Sequence, residues 1–314
     1  MKPGGGNPVV VMHLMGGLGN QMFQYAFGRR MALANSAQLV LDASGYASAA
    51  TAVPERGVRV LGLAHFRIVG SLMERAEPAS GRALPVWRWI RKARVFVGRL
   101  GEAGRPYFLR RDIIEPAHQH FRFDRDVYAR KVEGVVSVRG FWQTEAYFLE
   151  IEDTVRRELT LRDELRGKNA ELASRIRQTE SVAIHVRHGD NANAVAAELG
   201  VLPRDYYTRA VQELANEVRE PHFFVFSDDI EWTKQLLGHQ PAFTFVDHNG
   251  AERSHEDMRL ISLCKHHVLA NSTFGWWGAW LAKSPDQIVI APCRYYLGID
   301  RPNPDLYPRS WRLR

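Results

Sequence analysis

SVAIHVRHGD, residues 181–190, decides how this chain is read. Ser181-Val182-Ala183-Ile184 is a short apolar run bounded by polar sequence, the pattern of a buried parallel strand. The residues that follow put an imidazole (His185), a guanidinium (Arg187) and a carboxylate (Asp190) at the strand's C-terminal tip. In an open α/β sheet that tip is where ligands bind. Arg187 is suited to a two-pronged contact with an anion. Taken alone, residues 185–190 also suit a charged surface turn, so the reading depends on the rest of the chain.

Three further segments bear on it. Val9-Val10-Val11-Met12-His13-Leu14-Met15 runs into Gly16-Gly17-Leu18-Gly19-Asn20-Gln21, after which Phe23, Ala26, Phe27, Arg30 and Met31 recur at helical spacing. Gly17 and Gly19 let backbone approach a ligand, the helix start offers N–H groups to an anion, and Asn20 and Gln21 add amide donors. A plain tight turn explains the glycines equally well. The segment lacks the Lys-Ser/Thr of a phosphate-binding P-loop and, with Met22 after Gly19, misses the dinucleotide fingerprint. In the second, His222-Phe223-Phe224-Val225-Phe226 ends in Ser227-Asp228-Asp229 ahead of a helical pattern. An aspartate here either caps that helix or accepts hydrogen bonds from a ribose or base edge. The third is EDMRLISLCKHHVLANSTFGWWGAWL, residues 256–281. Met258, Ile261, Leu263, Cys264 and Val268 form a helical stripe, Val268-Leu269-Ala270 reads as a short strand, and Asn271-Ser272-Thr273 is a hydroxyl-rich turn into the next helix. Ser272 and Thr273 at a helix N-terminus form a ready anion site. Trp276, Trp277 and Trp280 read as core packing rather than base stacking.

Together these segments resemble the α-1,2-fucosyltransferases of glycosyltransferase family 11. The resemblance rests on GGLGNQMFQYA at 16–26, Leu41-Asp42-Ala43-Ser44, GFWQTEAYF at 140–148, HVRHGD, FFVFSDD and ANSTFGWWGAWL, in order along nearly the whole chain. It implies an α/β fold of glycosyltransferase-B type, two Rossmann-like domains facing across a cleft. Residues 1–155 would form the acceptor-side domain and residues 156–314 the GDP-fucose domain. It implies an inverting transfer of L-fucose from GDP-fucose to a galactose 2-hydroxyl, on an oligosaccharide or lipid-linked glycan, with no metal or other cofactor.

By the same resemblance, Arg187 meets the donor diphosphate, Asn271, Ser272 and Thr273 add hydrogen bonds, and Gly17, Gly19, Asn20 and Gln21 approach from the opposite domain. His185 lies along the nucleoside, Ser227 and Asp228 face the donor, and Asp257 accepts from guanine N1 and N2. Asp190 is the first candidate for general base, with Glu198 and Glu145 as alternatives. The common family form is His-Val-Arg-Arg-Gly-Asp-Tyr. Here His188 and Asn191 stand at the second Arg and the Tyr, and the basic group persists only where the imidazole is protonated. Two rivals stay open: a fucosyltransferase of another linkage (α-1,6 or O-linked), and a nucleotide-sugar binder without turnover.

Composition agrees. Alternating strand-like and helical runs argue α/β, and 314 residues hold two ordinary domains. Cys264 and Cys293 are too few for a disulfide framework, so a cytoplasmic location is expected. No apolar run approaches the roughly 20 residues of a membrane span, and adjacent His266-His267 on a helix would point to different sides and not share an ion. The net charge of +7 gathers partly at 87–111, where Arg and Lys interleave with Trp, Phe and Val. That segment suits peripheral contact with an anionic membrane or a solvated helix face. No recognition motif supports nucleic-acid binding.

Overall fold

A computed structural model describes residues 7–46, 60–74, 112–189 and 194–314. The expectations for Asp190 and for the basic segment 87–111 lie outside the described residues.

Two parallel sheets carry the fold. Strands β1 (Val9–His13), β2 (Gln38–Asp42), β3 (Ser71–Met73), β4 (Asp112–Ile114) and β5 (Val135–Arg139) form the first, in the order β3-β2-β1-β5-β4. Strands β6 (Glu180–Val186), β7 (Pro221–Ser227), β8 (Phe243–Val246), β9 (His266–Val268), β10 (Val289–Ala291) and β11 (Arg312–Leu313) form the second, in the order β11-β10-β9-β6-β7-β8. Chain order reverses between β6 and β9, and such a switch point opens a crevice at the strand tips. Strands covered on both faces need continuous apolar runs. The buried run from Ser181 to Val186 in β6 meets that demand.

The helices are α1 (Leu18–Ala34), α2 (Glu152–Glu158), α3 (Gly167–Gln178), α4 (Ala194–Leu199), α5 (Arg204–Glu217), α6 (Ile230–Leu237), α7 (Ser254–Leu263) and α8 (Thr273–Leu281), with a further single turn at Arg125–Tyr128. The structure shortens α7 relative to the sequence pattern. It ends at Leu263, and His266 and His267 belong to β9. Both rings are committed there: His266 Nδ1 accepts from the Ile288 backbone at 3.1 Å, and His267 Nε2 lies 2.9 Å from the Ile261 carbonyl.

Helix α1 is buried on nearly every side, because it lies between the first sheet and α8. Phe23 packs 4.5 Å from Trp276 and 5.0 Å from Trp277 (ring centroids), and Phe148 stacks on Trp277 at 5.4 Å. The tryptophans are therefore core, as their apolar surroundings suggested. Each buried aromatic of this size contributes about 1.5–3 kcal/mol by area, so the cluster welds α8, which follows β9, to the unit built on β1–β5. Trp276 Nε1 donates to the Leu306 carbonyl, and the Asp305 backbone N–H donates to the Phe121 carbonyl, so the segment near residue 305 returns to that unit as well.

The consequence is geometric. Helix α1 follows the C-terminal end of β1, and α8 follows that of β9. Their N-termini touch, so the strand tips of the two sheets face each other. Among the described residues, no helix is long and apolar enough to cross a membrane.

Candidate active site

The exit of β6 is built by the exit of β7. Asp228 accepts from the backbone N–H groups of His188 (2.8 Å) and Gly189 (2.9 Å). Gly189 adopts a φ of +77°, which an L side chain resists. Asp229 caps α6 through the Trp232 N–H (3.0 Å), and its other oxygen lies 3.0 Å from His188 Nδ1. The His188 ring stacks flat on Trp232 at 4.2 Å. So the imidazole at the usual second-arginine position is held in place by two partners. Ser227 accepts from the Thr233 hydroxyl and the Asp229 N–H, and donates to the Asp229 carbonyl. Ser227 and Asp228 thus shape the turn, and Asp228 does so from an exposed position at the strand tip. Arg187, one residue beyond β6, makes no ion pair among the described residues.

His185 is 6 % exposed, and its Nδ1 is buried without a hydrogen-bond partner. Burial, reinforced by the Arg187 charge and only partly offset by Asp228, pushes the imidazole down to about 4. It is neutral at pH 7. Gly275 in α8 makes room for it, since a Cβ there would lie 2.7 Å from Nδ1.

The exit of β9 supplies the opposite lip. Asn271 donates to the carbonyls of Leu199 and Tyr295 (2.8 and 2.9 Å), which fixes the turn. Ser272 caps α8, accepting from the Phe274 N–H. The buried Tyr295 hydroxyl is hydrogen-bonded to Thr273. Burial pushes it up to about 12, while Arg187 and Thr273 act to lower it. Arg187, Tyr295 and the N-terminus of α8 therefore share one neighbourhood.

From the first unit, α1 meets this lip directly. A Cβ on Gly19 would lie 2.5 Å from the Thr273 carbonyl carbon, so Gly19 admits the backbone of α8 rather than a ligand. Asn20 Oδ1 accepts from Thr273 Oγ1 (3.0 Å) and from Gln143 Nε2 (2.8 Å). Gly17 is the N-cap of α1 and leaves the first-turn N–H groups without a capping side chain. Gln21 does not reach the cleft. It is fully buried, donates to the carbonyls of Gly16 and Val60, and accepts from the Leu63 N–H.

Asp257 stands in the first turn of α7. Burial pushes its carboxyl up to about 7, against the Asn249 amide, which donates to Oδ1 at 2.7 Å. Of the alternative bases, Glu145 accepts from Trp280 Nε1 at 3.1 Å. Trp280 lies seven residues along α8 from Thr273, about 10 Å by helical rise, so Glu145 is remote from the lip. Glu198 lies at the end of α4, where its charge reaches Tyr296. Glu115 reaches Tyr296 as well, and no motif singled it out. It follows β4, accepts from the backbone N–H groups of Phe141 (2.6 Å) and Trp142 (3.2 Å), and burial pushes its carboxyl up to about 7. Gln143, Tyr295, Asn249 and Asn169 are the other site-shaping residues that sequence reasoning passed over. Each acts through contacts with residues distant in the chain, and Asn249 also reaches Asp257, eight positions on.

Two facing parallel α/β units with a site between their strand tips define the glycosyltransferase-B architecture. The sequence model described as glycosyl transferase family 11 matches residues 134–305, and the chain belongs to that family. It is 32% identical to an α-1,2-colitosyltransferase of Escherichia coli over 96% of this chain and 98% of that one. It is 27% identical to human galactoside α-(1,2)-fucosyltransferase 1 over 58% of this chain and 53% of that one. Among solved structures it is similar to the α-1,6-fucosyltransferase NodZ co-crystallised with GDP, with a TM-score of 0.53 at 17% identity, covering 91% of this chain and 95% of the other. That likeness concerns the fold.

Proposed function

We propose that this protein transfers L-fucose from GDP-fucose to the 2-hydroxyl of a terminal galactose, with inversion at the fucose C1 and without a metal ion. The observation that carries the proposal is the convergence of Arg187, the Thr273 end of α8 and Asn20 at the meeting of two sets of strand tips. A guanidinium with no ion-pair partner among the described residues, set beside a helix N-terminus, suits a diphosphate.

In the proposed reaction the acceptor oxygen attacks the fucose C1, the bond from C1 to the β-phosphate oxygen breaks, and GDP leaves with the electron pair. Negative charge grows on the β-phosphate as that bond lengthens. Arg187, held in position before the reaction, stabilises the charge most in the transition state. The neutral His185 sits along the nucleoside, and Asp257 accepts from the guanine edge. The hydroxyl proton passes to a carboxylate. Asp190, next after the ordered turn at Gly189, is the assigned base, with Glu198 as the alternative. The family's nucleotide-sugar chemistry supports a cytoplasmic enzyme acting on a soluble or lipid-linked glycan. The partner set contains no nucleic acid.

A second donor has specific support, namely the likeness over nearly the whole chain to an enzyme named for colitose. Colitose is 3-deoxy-L-fucose, so the two donors differ by one hydroxyl. A site that hydrogen-bonds that hydroxyl rejects the deoxy sugar by a large factor, while an apolar site discriminates weakly. Parallel assays with GDP-fucose and GDP-colitose on β-galactosides, in EDTA, test the proposal. GDP release with a fucosylated product supports it. Turnover of the colitose donor alone reassigns the sugar, and turnover of neither overturns the reading.

A further inference from the structure

We infer that the reciprocal amide pair Asn169–Asn249 is a positioning device. It aims one fixed donor at Asp257 and so holds that side chain as an oriented carboxylate for a guanine base. The inference rests on the GDP-sugar reading above and adds residues that the reading does not use.

Asn169 is on α3 and only 2 % exposed. Its Nδ2 donates to Asn249 Oδ1 at 3.0 Å, and its Oδ1 accepts from Asn249 Nδ2 at 3.0 Å and faces His248 Nε2 at 2.6 Å. Asn249 Nδ2 also donates to Asp257 Oδ1 at 2.7 Å. Both ends of both amides are thus assigned. Turning the Asn249 amide over would set oxygen against oxygen at Asn169 and again at Asp257, so the pair locks a donor toward Oδ1. Asp257 Oδ2 keeps no hydrogen-bond partner among the described residues. A carboxylate with one oxygen pinned and the other open is oriented to accept the N1–H and N2–H of guanine. Adenine offers no such donor pair.

The surroundings make the amide matter. Burial pushes Asp257 up to about 7 and Glu256 pushes the same way, while Asn249 and Arg253 oppose them. His248 stands nearby with Lys168 and Asp247 around it. His255, two residues earlier on α7, stacks on His65 of the first unit at 3.7 Å and feels Asp163 and Arg259. Helix α8, packed on α7, carries no titratable side chain. The sign follows. Guanine binds the carboxylate and not the acid, so affinity is full above neutrality and falls about tenfold per pH unit below the free-site value. Removing the Asn249 donor raises that value and moves the fall to higher pH.

Calorimetric titration of the full chain with GDP and with ADP, from pH 5.5 to 9, tests this in the unaltered protein, Asn249→Leu and Asn249→Ser, with thermal melts as a fold control. The smaller, polar serine variant serves if leucine disturbs the fold. The diphosphate's own titration is common to all three and cancels in the comparison. The expected result is a midpoint of GDP affinity raised by about one pH unit, hence roughly fivefold weaker binding at pH 7, with near-normal binding at pH 9. In turnover, KM for the donor rises at pH 7 while kcat is kept. GDP affinity reduced equally at every pH, or unaltered at every pH, overturns the positioning role. Equal affinity of the unaltered protein for GDP and ADP is a different failure. It removes the GDP-sugar reading itself, and the positioning role with it.

Discussion

The Thr273 hydroxyl donates to the Asn20 side-chain oxygen across 3.0 Å, joining the first turn of α1 to the first residue of α8. These residues are 253 positions apart in the chain. The same oxygen accepts from Gln143, so Asn20 holds three segments at the cleft, while its Nδ2 has no protein acceptor among the described residues. Asn20→Ala should therefore lose more than a structural hydrogen bond. Stability should fall by about 1 kcal/mol, while kcat/KM falls roughly 10- to 100-fold, as for loss of one donor to a developing charge. Denaturant melts and steady-state kinetics on one preparation separate the two effects.

Gly19→Ala tests the close approach of the two helices. The added methyl would sit 2.5 Å from the Thr273 carbonyl carbon, against backbone that cannot swing aside. Overpacking of this kind costs about 1–3 kcal/mol. Gly45→Ala is the control, since nothing lies within 4 Å of its Cβ position. Equal midpoints in urea for the two variants would mean that the units do not meet as described.

Arg187→Ala should lower kcat/KM at least a hundredfold, roughly the loss seen when one charge-stabilising donor is removed. The circular dichroism spectrum should not change, because no ion pair among the described residues depends on the guanidinium. Arg187→Lys should recover only a part, since an ammonium lacks the planar fork. Normal turnover in the alanine variant would exclude the assigned role.

His188→Arg, which restores the common family form, should leave kcat/KM within roughly threefold, under about 0.7 kcal/mol. The imidazole is already occupied by Trp232 and Asp229, so a structural replacement explains it. A gain of a hundredfold would instead show that the chain lacks a second cation at the phosphates.

Asp257→Asn should stabilise the unliganded protein at high pH. The native carboxyl titrates at about 7 because of burial, with Glu256 adding to it and Asn249 opposing. The unfolded group titrates near 4. Stability is thus unaffected below about pH 4 and declines between pH 4 and 7, where the unfolded chain ionises first. The variant escapes that decline and should gain roughly 1–3 kcal/mol at pH 8 over the parent, and nothing at pH 4. A gain that is the same at both pH values would contradict the account.

Much of this was legible in the chain. The strand before Arg187, the turn at Asn271-Ser272-Thr273 and the helix of tryptophans all followed from local periodicity and capping chemistry, because each depends on neighbours within a few residues. Gln21 and Gly19 were misjudged for a physical reason. A buried glutamine and a solvent-facing one look alike in sequence, and whether a glycine admits a ligand or another helix depends on what the fold brings near. The contact by which Asp228 holds the exit of β6 left no local signal either, since its partner lies about 40 residues earlier. The Asn169–Asn249 pair left no local trace, being 80 positions apart.

The most direct test of the central claim is the structure of the reaction product. With GDP-fucose, a panel of β-galactosides and EDTA, nuclear magnetic resonance should show a fucosyl anomeric proton of α configuration correlated with the galactose C2. A correlation to C6 or another carbon, or no product across the panel despite tight GDP binding, would contradict it.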